Sequence, residues 1–200
     1  MTQTEPDTRT TMLDYAIEVL ETEGEQGIRV RDVAAAAGVT YSAVDHHFRG
    51  REGLIESAMV ESYRRSLAFG VAELTLMFDE ATTADEFRLA VVAGVGAFFA
   101  PNRTPVRRRR TIVLGAAATR PHLAAALHAV TDEYLPELAR MFANPMKRGW
   151  IAPQIDLRSF WAVYFGIINS RFLLEMVPGE VVPAAWDVYA LRAILALGEF

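Results

Sequence analysis

Tyr41, Ser42, Asp45 and His46 stand at i, i+1, i+4 and i+5, a spacing that puts four polar side chains on one side of a helix. Val44 and Phe48, at i and i+4, form its apolar side. A helix held by so few apolar contacts keeps its other face free to enter a major groove about 12 Å wide. Arg31 begins the segment before it, where a guanidinium can reach a base edge or a phosphate. Arg51 begins the segment after it, where its charge and the neighbouring backbone N–H groups suit a phosphate oxygen. The local charge agrees. Residues 28–51 hold Arg29, Arg31, Arg49 and Arg51 against Asp32 and Asp45, a net of +2, while the whole chain carries −5.

Bond-making chemistry has little to work with. The 200 residues include no cysteine, which excludes disulfides, thiolate metal sites and cysteine nucleophiles. The four histidines form no HExxH pair, and His122 and His128 lie on roughly opposite helix faces. P-loop, GxGxxG and GxSxG motifs are all missing from the sequence. We therefore expect no enzyme, no cofactor and no metal. The longest uncharged stretch, Leu89 to Asn102, is 14 residues, short of the roughly 20 a membrane span needs. The polar N-terminus has no basic-then-apolar leader pattern, so a cytoplasmic protein without a membrane partner is expected.

The elements that must hold these residues read as helices throughout, and the expected fold class is all-α with about nine of them. Leu13, Ala16, Ile17 and Leu20 mark the buried stripe of a first helix, about Thr8 to Glu23. A short helix from Val30 to Ala37 ends at Gly38, a second runs from Tyr41 to Phe48, and Gly50 separates it from a long helix over Arg51 to Asp79. Two short helices around a glycine turn make the helix-turn-helix pattern. Thr83 and Glu86 form a capping box for a helix to Phe99. Further helices are expected from Thr104 to about Ala118, from Pro121 to Lys147 with a kink at Pro136 and an early end at Pro145, from Asp156 to Val177 before Pro178-Gly179, and from Pro183 to Leu197. The expected division is a helix-turn-helix three-helix bundle over 1–66 and a larger helical domain over 67–200 for ligand binding and dimerisation.

The stretch Val30-Arg31-Asp32-Val33-Ala34-Ala35-Ala36-Ala37-Gly38-Val39-Thr40, then Ala43-Val44, His46-His47-Phe48 and Arg51-Glu52-Gly53-Leu54, resembles the DNA-binding region of the tetracycline-repressor (TetR) family of transcriptional regulators. The resemblance covers about residues 8–65 closely and is architectural beyond them. It implies a homodimer that binds a double-stranded DNA operator as a repressor and is released by a small-molecule effector. It places Arg31, Tyr41, Ser42 and His46 at base or nearby backbone contacts, and Thr40 and His47 at phosphate contacts. Asp45 stands where the family commonly has Tyr, and Arg29 where it commonly has Thr or Ser. A carboxylate at that place must accept from a cytosine N4 amine or pair with an arginine. The competing reading, with Asp45 as its support, is a helical interaction protein that has lost DNA binding.

In the remaining chain, Trp161, Phe165, Ile168 and Phe172 form one helix face and Ala162, Gly166 and Ser170 another. Small residues at spacing four allow a close helix neighbour, so the second face, with Trp186, Tyr189 and Ala193 of the last helix, is the expected dimer interface. The aromatic face is either ordinary core or the wall of a mostly apolar effector pocket. Its candidate lining is Phe98, Tyr134, Trp161, Phe165 and Asn169, with His128 and its i+4 neighbour Asp132 as a further polar pair. Arg107 to Arg110 cannot share one helix face; the run reads as a solvated helix start with ion pairs, or as a link between the body and the first four helices.

Overall fold

A computed structural model describes residues 7–151, 156–177 and 182–198 of the chain. Among them are nine α-helices and no strand: α1 (Thr8–Thr22), α2 (Val30–Ala36), α3 (Tyr41–Phe48), α4 (Arg51–Asp79), α5 (Ala84–Phe99), α6 (Thr104–Ala117), α7 (Pro121–Lys147), α8 (Leu157–Ser170) and α9 (Ala184–Gly198). Short 3-10 turns occupy Glu25–Gly27, Pro101–Arg103 and Arg171–Leu174.

The first four helices close around one apolar centre. Leu13, Ala16, Ile17 and Leu20 of α1 are buried with Val33, Val44, Phe48, Leu54 and Ile55. Gly38 takes φ +66° in the turn between α2 and α3, and the amide of Val39 reaches back to the carbonyl of Ala34 at 2.9 Å, the wrap that ends a helix in a left-handed residue. Gly53 serves closeness instead: a Cβ there would lie 1.8 Å from the carbonyl oxygen of Phe48, so the end of α3 rests directly on the first turn of α4. Continuing without a break past residue 66, α4 packs on α1 and α3 near its start and on α5 and α7 further along. The expected domain boundary therefore falls inside a single helix.

Local capping explains several starts. The Thr83 hydroxyl accepts from the Glu86 amide at 3.2 Å while Glu86 accepts from the Thr83 amide at 3.2 Å. Asp156 accepts from the Ser159 amide at 2.6 Å to open α8. One expected end holds and one differs. α7 continues through Pro136 and Pro145 to Lys147. Pro145 is buried there, and the next turn closes with Trp150 donating to the Pro145 carbonyl at 2.9 Å. α8 stops at Ser170 rather than near Val177, because Arg171 turns inward to Glu175 and Asp187 and the chain tightens into a 3-10 turn. The Pro178-Gly179 stop lies outside the described residues.

Candidate functional site

α3 is seated by Val44 and Phe48, which are fully or almost fully buried. Tyr41, Ser42, Asp45, His46 and His47 are exposed, with Tyr41 at 58%. Thr40 caps the helix by accepting from the Ala43 amide at 3.4 Å, and its hydroxyl lies 2.9 Å from that of Ser42. Arg31 is exposed at the start of α2. These residues are all polar and exposed. Arg51 does not join them as a free cation. Its Nε donates to the Ile28 carbonyl at 2.9 Å, one terminal nitrogen to the Glu25 carbonyl at 2.5 Å, and the other to Glu52 at 3.2 Å. Two backbone carbonyls claim the guanidinium, which ties the start of α4 to the turn before α2.

The arginine run of α6 is mostly not a solvated helix start. Positions 107 and 110 share a face at spacing three, and both are buried, Arg107 at 2% and Arg110 at 5% exposure. Arg107 donates to Glu175 Oε2 at 2.9 Å, to Thr104 at 3.0 Å and to the carbonyls of Phe98 and Ala100. Burial raises the Glu175 carboxyl, but hydrogen bonds from Arg107, Arg171 and Thr104 outweigh it and leave it below its ordinary 4.5. Arg109 pairs with Glu21 of α1 at 2.5 Å, which realises the link to the first four helices. Arg108 is exposed.

Arg110 lies over the Phe165 ring at 4.5 Å and donates to the Ser66 hydroxyl at 2.9 Å. Burial pushes its guanidinium down to about 10, so it remains a cation at neutral pH. It faces a pocket of about 220 Å³ between α1, α4, α5, α6 and α8, where Ser62, Phe69, Phe98, Val106 and Ile168 form part of the wall. A second cavity, of about 20 Å³, is wholly apolar and lies among Phe78, Val91, Phe142, Trp161, Tyr164 and Ile194.

Residues 12–58 match the model of a family described as bacterial regulatory proteins, tetR family. Over those residues the chain is similar to the tetR family. A curated relative, an uncharacterized HTH-type transcriptional regulator in the dhlA 5' region of Xanthobacter autotrophicus, is 40% identical over 62 residues, which span 31% of this chain and 30% of that protein. Among solved structures, a Rhodococcus sp. protein assigned to the TetR family superposes with a TM-score of 0.67 at 20% identity, covering 96% of this chain and 98% of its own. The multidrug binding protein EbrR, solved with proflavin, superposes with a TM-score of 0.60 at 23% identity, covering 96% of this chain and 99% of its own. The fold of these solved structures thus extends over nearly the whole chain.

Within that fold the expected effector residues separate. Phe98 lines the larger pocket and Phe165 underlies Arg110, while Trp161 lines the small apolar cavity. Asn169 is half-buried, and its Oδ1 is buried without a partner. Tyr134 donates to the Arg64 carbonyl at 3.4 Å and lines neither cavity. His128 is turned outward, its side chain 66% exposed beside Asp132 at 3.5 Å. Of the expected dimer residues, Ala162, Gly166, Tyr189 and Ala193 are exposed and Ser170 is half-buried. Trp186 instead packs edge-on against Phe99, ring centroids 4.9 Å apart, with Arg171 over its face. The buried arginines were hidden in the sequence by their charge; the i, i+3 spacing of Arg107 and Arg110 was the one available signal. Among the described residues no cluster of His, Asp or Glu could hold a metal ion, and no helix is long and apolar enough to cross a membrane.

Proposed function

We propose that this chain is a transcriptional repressor that binds a pseudo-palindromic operator as a homodimer and is released by a small, mostly apolar effector. The observation that carries the reading is α3, anchored by Val44 and Phe48 with Tyr41, Ser42, Asp45, His46 and His47 exposed and aligned. Tyr41, Ser42 and His46 read base edges, Thr40, His47 and Arg31 contact the backbone or flanking bases, and Asp45 accepts from a cytosine amine. Residues 1–66 serve as the DNA-binding domain and residues 67–200 as the effector and dimer domain, joined by the continuous α4.

The dimer is supported by an apolar exposed face on the last helices. Val163, Val188 and Tyr189 are about half or more exposed, beside the small Ala162, Gly166 and Ala193. Two such chains present two α3 helices, which must reach major grooves about 34–36 Å apart or a multiple of it. Effector release is supported by the body pocket, by the Arg109–Glu21 link from α6 to α1, and by a fold relative that holds proflavin. The effector lowers operator affinity only by its preference for the spacing that does not fit DNA.

Fluorescence anisotropy against duplexes selected from a random pool tests this. The expected result is one preferred pseudo-palindrome, bound with a steep loss of affinity as salt rises, by a species of twice the chain mass in sedimentation. Equal weak binding to every duplex would instead favour the interaction-protein reading, which the exposed Asp45 carboxylate supports.

A further inference from the structure

We propose that the effector is a small organic carboxylate, held by Arg110 in the pocket between α1, α4, α6 and α8, with its apolar part against Phe98, Val106 and Ile168. The proposal rests on the effector-responsive reading above and names the chemistry of the effector.

The charged residues lining the pocket are five arginines and one glutamate. Four of the arginines already have a carboxylate: Arg65 with Asp14 at 2.7 Å, Arg103 with Glu73 at 2.8 Å, Arg107 with Glu175, and Arg109 with Glu21 at 2.5 Å, which is the lining glutamate. Among the described residues Arg110 has no carboxylate partner. Its hydrogen bonds go to Ser66, and its Nε is buried without a partner. The Ser62 hydroxyl, on a residue 2% exposed, lines the same pocket and is also unpartnered. A buried cation lacking its anion and a buried hydroxyl lacking its acceptor are both costly alone. A ligand oxyanion satisfies both. Arg110 is backed by the Phe165 ring, so the planar fork is held in place, and a carboxylate matches that fork in two parallel hydrogen bonds. The remaining wall, Ile17, Phe69, Phe98, Val106 and Ile168, is apolar and suits a short aliphatic or single-ring body. Ile17 and Glu21 belong to α1, so an occupant touches the helix that supports the DNA-reading unit.

Calorimetry on the full-length protein tests the site, with phenylacetate and hexanoate as probes. Phenethyl alcohol and hexanol are their neutral matches, and inorganic phosphate and the cationic dye proflavin are further arms. The expected result is at least tenfold tighter binding of the carboxylates than of the alcohols, phosphate or proflavin. Arg110→Met abolishes that difference. A second measurement guards against a purely structural arginine: ligand-free Arg110→Met unfolds at a urea concentration equal to or above that of the parent, because an unpaired buried charge has been removed. Carboxylates binding no better than alcohols or phosphate, or an Arg110→Met protein that is less stable without ligand, overturns the proposal. Operator release by the carboxylates is scored separately. Binding without release upholds the site and sinks the regulatory reading; operator binding untouched by carboxylates that also fail to bind sinks the site alone.

Discussion

Arg51 and Tyr41 are both expected from the sequence to contact DNA, yet they relate differently to the fold. Tyr41 is 58% exposed. Arg51 is bonded to the carbonyls of Ile28 and Glu25, which lie 23 and 26 residues earlier in the chain. Removing a solvated side chain leaves stability within about 0.5 kcal/mol, whereas losing a charge-assisted staple at a half-exposed place costs about 1 kcal/mol. Tyr41→Ala is therefore expected to alter operator preference with an unchanged urea midpoint. Arg51→Ala is expected to lower the midpoint and weaken all duplexes together, since it loosens the seat of α2 and α3. Equal midpoints for the two variants would return Arg51 to the role of a free phosphate contact. Arg51 also shows what local reading misses: its helix-start position was visible, but the carbonyls that occupy it are distant in sequence.

Among the elements, α2 starts without a side-chain cap, as α1, α4, α6 and α7 also do. Thr40, Thr83 and Asp156 cap α3, α5 and α8 with side-chain acceptors, but Arg29 at the start of α2 is extended (φ −115°, ψ 123°) and offers none. α2 is only seven residues long, so one orphan amide is a large share of its ends. Arg29→Thr is expected to stabilise the protein by about 1 kcal/mol in urea denaturation while lessening the salt dependence of DNA binding, because a cation is lost. A stability gain absent from that measurement would mean that water already satisfies those amides. Starts set by short-range chemistry were legible: the Thr83–Glu86 box and the Tyr41–Phe48 and Arg51–Asp79 spans all emerge from spacing and punctuation. The end of α8 was not, because Arg171 reaches Asp187, 16 residues on, across a turn no local pattern encodes. Burial of Arg107 and Arg110 was likewise illegible, since Arg107's carboxylate, Glu175, lies 68 residues away and Arg110's hydroxyl, Ser66, 44.

For the whole molecule, the chain Arg107–Glu175–Arg171–Asp187 joins α6 to the 3-10 turn after α8 and to α9. Arg107 and Arg171 are both buried, so Glu175 is the anion on which two desolvated cations depend. Removing one partner of such a group costs about 3 kcal/mol, mostly from the charges left behind. Glu175→Gln is thus expected to destabilise the protein by about that amount at neutral pH. The folded carboxyl lies below its ordinary 4.5, so its contribution is complete above that value and disappears as pH falls through the lowered one. The stability gap between parent and variant, measured by urea titration across pH, should be flat down to about pH 5 and close at more acid values, where the parent's own Glu175 protonates. Subtracting the variant removes the other carboxylates, among them Glu25, whose carboxyl the hydrogen bond from Arg120 also holds low. A gap that persists unchanged in strong acid would show that Glu175 acts by its shape rather than its charge, and that α6, α8 and α9 are held together without the network.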